Sequence, residues 1–326
     1  MTEQHPILIT GAAGEVGSIS GDIARRLIKQ GYPVRAFVRT DDARAQALRD
    51  LGAEVFVGDL LKLADVVQAL KGCRRIFFTM SVSPYYLDAN LVMVAAALQQ
   101  GNIEIFVNIS NIEQSYMTFE HMSAPTSDRL KWLGGLVDDW SPQQRAHWLS
   151  EQALNWSGLP AVNLRATIFV ENPLLTWIPI KNVMENGGLN LPFADAKMSP
   201  IAATDVAEVC TNILVQPNEH IGKNYALTGP ELVGGDEFAQ ALSSVLGYEV
   251  QYVAKPLESS DQVLDAVLAE RSAHTASHLK NLTRLIAGGR YEEVTDTLEK
   301  LLGRSPTHLK EALASNERVL RARDRD

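Results

Sequence analysis

The chain has 326 residues, 46% hydrophobic and 21% charged, with a net charge of −9. That is enough for a large core, and the acidic balance argues against a general nucleic-acid or anionic-membrane partner. No run reaches the ~18 apolar residues of a membrane helix, no basic n-region precedes Ile7, and Cys73 and Cys210 lack metal-type spacing, so the chain reads as cytoplasmic and reduced with two buried thiols.

Up to about residue 165, short β-branched runs alternate with helical patterns. Ile7–Thr10 reads as a strand, and Val16–Lys29 as a helix with Ile19, Ile23, Leu27 and Ile28 on one face, ended by Gly31. Pro33–Val38 is a second strand, and Thr40 is positioned to cap a helix over Asp41–Leu51. Strands at Glu54–Val57, Arg75–Thr79 and Ile103–Val107 alternate with helices at Lys62–Leu70 and Pro84–Gln100. A long irregular segment follows, Asn111 to Pro142, then a helix, Gln143–Ser157, and a sixth strand, Pro160–Arg165. This alternation predicts an α/β fold with a doubly wound parallel sheet over residues 1–165.

After residue 165 the rhythm changes. Helical patterns at Pro173–Glu185, Thr204–Val215 and Asp236–Leu246 alternate with short strands at Asn224–Leu227 and Glu249–Val253, and the chain reads as helical from Leu257. Residues 166–326 are expected to form a smaller α-rich lobe on the substrate side, interleaved with the first. His274 and His278 stand at i, i+4 and read as a solvated helix face. Arg318–Arg325 reads as an exposed helix end.

The motif Gly11-Ala12-Ala13-Gly14-Glu15-Val16-Gly17 directly follows the first strand. Gly11 permits the sharp turn, Gly14 lets backbone approach a phosphate, and Gly17 lets the helix pack close to the sheet. Strand, glycine turn and helix N-terminus together predict a Rossmann-type NAD(P) site. Arg39 ends the second strand, where a cation favours a 2′-phosphate, while Asp41 and Asp42 suit a first helical turn. NADP(H) is therefore preferred over NAD(H).

With the glycine turn, Val34–Arg39 and Val57-Gly58-Asp59-Leu60, the chain resembles the atypical short-chain dehydrogenases, and more closely the NmrA-like group. His147-x-x-x-Glu151, Ser157-Gly158-Leu159, Phe169-x-Glu171-Asn172, Thr204-Asp205-Val206-Ala207, Leu227-Thr228-Gly229-Pro230 and Gly303-Arg304-Ser305-Pro306 follow in the group's order. That group includes triphenylmethane-dye and quinone reductases and NADP(H)-sensing regulators without catalysis. The resemblance implies cofactor contacts at Gly11, Ala13, Gly14, Glu15 and Val16, with Asp59 and Leu60 by the adenine. It also implies Thr79, Met80 and Ser81 along the cofactor. Asn108 and Ser110 should lie near the nicotinamide, with the backbone of Ile168 and Phe169.

Carbonyl reduction on this fold commonly uses a Tyr with a Lys four residues later, the Lys lowering the Tyr pKa. That pair is absent: Tyr85, Tyr86 and Tyr116 have Ala89, Asn90 and Glu120 at that spacing. Three readings stay open: hydride transfer to an acceptor needing little acid catalysis; proton supply by His147, with Glu151 on the same helical face; or no catalysis at all. Ser110 and Tyr116 are weaker catalytic candidates. The Asn111–Pro142 segment is longer than usual for the group and carries Trp132 and Trp140, fitting either a substrate-pocket wall or a contact in a homodimer or core. The expected function is an NADPH-dependent reductase of a small, flat, aromatic or quinone-like substrate, the alternative being an NADP(H)-sensing regulator that binds other proteins.

Overall fold

The computed structural model describes residues 4–14, 19–268 and 272–323. Glu15, Val16 and Gly17 of the expected phosphate turn lie outside them. The first half alternates as the pattern predicts: β1 (Ile7–Thr10), α1 (Ile19–Lys29), β2 (Val34–Val38), α2 (Ala43–Asp50), β3 (Glu54–Val57), α3 (Leu63–Leu70), β4 (Arg75–Phe78), α4 (Tyr86–Gln100) and β5 (Ile105–Asn111). Then come α5 (Phe119–Ser123), α6 (Thr126–Trp132), α7 (Pro142–Ser157), β6 (Ala161–Ala166), α8 (Ile178–Asn186), β7 (Gly188–Leu191), α9 (Ala203–Val215), β8 (Asn224–Leu227), α10 (Gly235–Leu246) and β9 (Gln251–Ala254). The chain closes with α11 (Leu257–Leu268), α12 (Ala273–Ala287), α13 (Thr297–Leu302), α14 (Leu309–Ala314) and α15 (Glu317–Arg323).

Seven strands form a parallel sheet in the order β3-β2-β1-β4-β5-β6-β8. The register sets Ile7 beside Val34 on one side and beside Arg75 on the other. β1 and β5 are buried at almost every position, as expected for strands covered on both faces. One core forms where Leu8, Phe78 and Phe106 of the sheet meet Val66 and Leu70 of α3, Tyr86 and Met93 of α4, and Leu154 of α7.

The fold divides into two compact units. The first comprises residues 1–114, 145–165 and 206–225, and holds most of the sheet. The second comprises residues 115–144, 166–205 and 226–326, and is mostly helical.

Several expectations are corrected. Asp42, not Thr40, caps α2, because its carboxylate accepts the Arg44 and Ala45 N–H groups. The Asn111–Pro142 segment is not irregular: it carries a 3₁₀ turn, Ile112–Ser115, and helices α5 and α6. β8 joins the main sheet, and an unforeseen strand, β7, pairs in parallel with β9. Gly188 and Asn190 in β7 hide the strand pattern. His278 is not solvated but buried, its Nδ1 2.9 Å from the Ser141 hydroxyl. Burial, with His274 beside it, pushes its pKa down to about 4. The last described helix, α15, is not freely exposed either: Val319 and Ala322 are buried, and Arg318 stacks over the Trp177 ring, while Asp324 and Arg325 of that expectation lie outside the described residues.

Candidate cofactor site

β1 and β4 are sheet neighbours although two βα units separate them in sequence, so the loops leaving them part at a topological switch point. Thr10 ties the two ends: its hydroxyl donates to the Thr79 carbonyl (2.7 Å) and accepts from the Thr79 N–H (2.9 Å). Gly11 turns with φ +67°, and a Cβ there would stand 3.0 Å from the Thr79 methyl. The Gly14 N–H closes the turn onto the Gly11 carbonyl (2.9 Å). Side chains larger than hydrogen would fill this cradle, which suits the close approach of a phosphate.

At the end of β2, Phe37 and Val38 are buried and Arg39 is exposed. Arg39 makes no hydrogen bond or ion pair among the described residues. Both neighbouring acids are committed: Asp41 to Arg49 (2.7 Å) and Asp42 to the α2 cap and Arg44. Hydrogen bonds from those arginines hold both carboxyl groups below the usual range. Arg44 also donates to the Ala13 carbonyl (3.1 Å), bridging the helix to the glycine turn. Sequence reading missed this contact, which needs the two ends side by side.

At the end of β3, the Asp59 N–H donates to Asp65 (2.9 Å), its carboxylate accepts the Leu61 N–H (3.0 Å), and Leu60 packs on the core. Thr79 and Met80 are half-buried beyond β4, with Ser81 exposed. On β5, Asn108 and Ser110 are buried, and the Ser110 hydroxyl has no partner among the described residues. The Asn108 amide donates to Asn163 of β6 (2.9 Å), which donates to Asn224 of β8 (2.8 Å). Asn163 and Arg165, at alternate positions of an otherwise apolar strand, were the available signal for this polar stripe.

A model of NAD(P)H-binding proteins matches residues 11–217. The chain belongs to the NAD(P)H-binding family. NAD(P)H azoreductase of Xenophilus azovorans is 29% identical over 300 residues, 91% of this chain and 93% of that protein. Two solved structures share the fold. Escherichia coli NADPH-dependent quinone oxidoreductase, complexed with NADPH, gives a TM-score of 0.75 at 22% identity, covering 94% of this chain and 98% of that one. NmrA, a negative transcriptional regulator in complex with NADP, gives 0.73 at 18% identity, covering 99% and 98%. The expected likeness to NmrA-like proteins is borne out.

Within this NAD(P)H-binding chain the catalytic candidates separate. His147 of α7 packs against the Tyr86 ring at 4.2 Å, and the Tyr86 hydroxyl donates to the Ile109 carbonyl (3.3 Å). His147 therefore stands one ring away from the strand that carries Ser110. Tyr86 itself is fully buried, and desolvation first, then the Glu151 charge, pushes its pKa far up. Glu151 is not held in reserve for His147: its buried carboxylate is bound by Arg165, with a closest contact of 2.6 Å. Tyr116 lies in the second unit, where its hydroxyl donates to Glu293 and Arg290 stacks 4.1 Å above its ring. Ile168 and Phe169 also belong to that unit, in the segment after β6. Cys73 and Cys210 are buried, and burial raises both thiol pKa values, Cys73 to about 11. Among the described residues no helix is long and apolar enough to cross a membrane.

Proposed function

We propose that the chain is an NADPH-dependent reductase of a small, flat, aromatic or quinone-like substrate. One observation carries the cofactor choice: among the described residues Arg39 is an uncommitted cation at the end of β2, while Asp41 and Asp42 are both engaged. A 2′-phosphate takes such a guanidinium through charge-assisted hydrogen bonds, and an engaged carboxylate is poorly placed to accept a 2′-hydroxyl. In this reading Gly11, Ala13 and Gly14 hold the pyrophosphate, Asp59 and Leu60 flank the adenine, and Thr79 to Ser81 line the cofactor's length. Asn108 and Ser110 serve the nicotinamide end.

Bound NADPH supplies a hydride. The reductase class is supported by the azoreductase relative, whose similarity runs through 93% of that protein. The absent Tyr-Lys pair favours an acceptor whose reduction needs little acid catalysis, so that positioning supplies most of the rate. His147 is the residue proposed to supply a proton where one is needed.

A second reading, an NADP(H) sensor, is favoured by one observation: the Tyr86 and Tyr116 hydroxyls are both committed within the protein. Turnover separates the two. The reductase reading expects NADPH consumption above background with members of a panel of quinones, azo dyes and enones. Tight NADPH binding with no oxidation across that panel would establish the sensor instead. Arg39→Asp is expected to weaken NADPH binding by about 2–3 kcal/mol while sparing NADH. An unchanged NADPH-to-NADH preference would remove Arg39 from the site.

A further inference from the structure

β7 and β9 form a two-stranded parallel sheet within the second unit. The Gln251 N–H donates to the Gly187 carbonyl (3.1 Å), and the Lys255 N–H donates to the Leu191 carbonyl (3.0 Å). Main-chain groups alternate in direction along a strand, so those of Tyr252 and Ala254 point away from β7. Among the described residues no strand pairs with that outer edge, and neither N–H donates to any group. The edge is closed at both ends: the Val250 N–H donates to the Ser243 hydroxyl (2.8 Å), and Pro256 has no N–H. One face of the sheet is committed to its own unit, with Leu189 and Leu191 buried and the Tyr252 hydroxyl donating to the Ala194 carbonyl (2.9 Å). The other face carries Glu249, Gln251, Val253 and Lys255, all exposed. Neither Glu249 nor Lys255 makes an ion pair among the described residues.

We propose that the β9 edge pairs with the same edge of a second copy of this chain, antiparallel, about a two-fold axis through Val253. In this register Tyr252 faces the partner's Ala254 and exchanges both main-chain hydrogen bonds with it, and the two-fold axis repeats that pair. Every outward group between Val250 and Pro256 is then satisfied. Val253 stands opposite the partner's Val253 in a non-hydrogen-bonded pair, where Cα atoms lie about 4.5 Å apart. Each valine covers the other, removing an exposed apolar side chain from water. Lys255 falls opposite the partner's Gln251 and diagonal to the partner's Glu249, within reach of a long side chain. A shift that set Tyr252 opposite the partner's Tyr252 would place Ala254 against the partner's Val250, whose N–H is already spent. β9 thus matches itself in hydrogen bonding, shape and charge, which favours a second copy over a foreign strand. The pairing needs neither cofactor nor substrate and stands apart from the reductase reading.

The test is sedimentation velocity of the full chain over a range of concentrations, joined to cross-linking. The parent should show a reversible monomer–dimer equilibrium. Ala254→Pro deletes a donor that the dimer uses twice and that β7 does not use, so the dissociation constant should rise at least about tenfold. Val253→Cys should form an interchain disulfide under mild oxidation, because the opposed Cα separation lies within disulfide range. Cys73 and Cys210 are buried and do not compete. Gln251→Cys is equally exposed but stands on the order of 14 Å from its own copy in this register, so it should not cross-link. Melting temperatures confirm folding, and the exposed cysteine substitutions keep the test intact if proline disturbs the strand. A parent that stays monomeric throughout overturns the proposal. So does a dimer that Ala254→Pro leaves at parental strength, or equal cross-linking of the two cysteine variants.

Discussion

Arg39 and Glu171 show how much one side chain's meaning depends on its neighbours. An arginine after a β-strand is legible as a phosphate ligand from sequence; that its acidic neighbours are spent on Arg49, Arg44 and the α2 cap is not. The Glu171 carboxylate accepts the Ala203 N–H where α9 begins, and its environment has a consequence for stability that needs no cofactor. Desolvation raises its folded pKa to about 7, from about 4.5 for a carboxyl group in water. The folded state therefore binds the proton more tightly than the unfolded chain, and stability falls as pH rises between those values. Glu171→Gln should be near neutral below pH 4.5 and stabilise by about 1–3 kcal/mol above pH 7.5. Denaturant melts at both pH values check the sign; a Gln variant less stable at high pH would mean that the ionised carboxylate is favoured.

Elements were legible where one helix face was apolar, as in α1, or where an apolar run ended at a glycine, as in β1 and α4. α4 nonetheless holds a surprise for any residue-level reading: Asn90 is fully buried and its amide has no partner among the described residues. An unsatisfied buried amide costs about 1–3 kcal/mol, so Asn90→Leu should raise stability by roughly 1–2 kcal/mol, read by chemical denaturation. The 111–142 segment was opaque because its helices are short and start from caps rather than long stripes. Thr118 caps α5 through the His121 N–H. Ser141 accepts the Gln144 N–H while Gln144 accepts that of Ser141, a reciprocal cap for α7. The segment is fixed to α12 where Gly134, at φ +80°, meets Gly288: a Cβ on Gly134 would fall 2.4 Å from the Gly288 carbonyl oxygen. Gly134→Ala should therefore cost about 2–4 kcal/mol and speed proteolysis between residues 115 and 144.

At the scale of the molecule, the sheet order brings five strand ends of the first unit to one edge. NADPH at about a hundredfold excess over its Kd should stabilise the fold by about 2.7 kcal/mol. Under the cofactor reading, the new hydrogen-exchange protection should fall on residues 11–14, 37–39, 58–60 and 79–81. Protection elsewhere, with none there, would displace the site. The sequence by itself determined the alternation of strands and helices, the glycine turn and the cation after β2, because these depend on spacing along the chain and on the conformational demands of single residues. Only the tertiary structure decided that β8 joins the main sheet, that Glu151 serves Arg165 rather than His147, and that Glu171 is seated on α9 beside Asp205. Those depend on which groups share a buried volume, where desolvation and charge act through space, and no spacing rule along the chain encodes that.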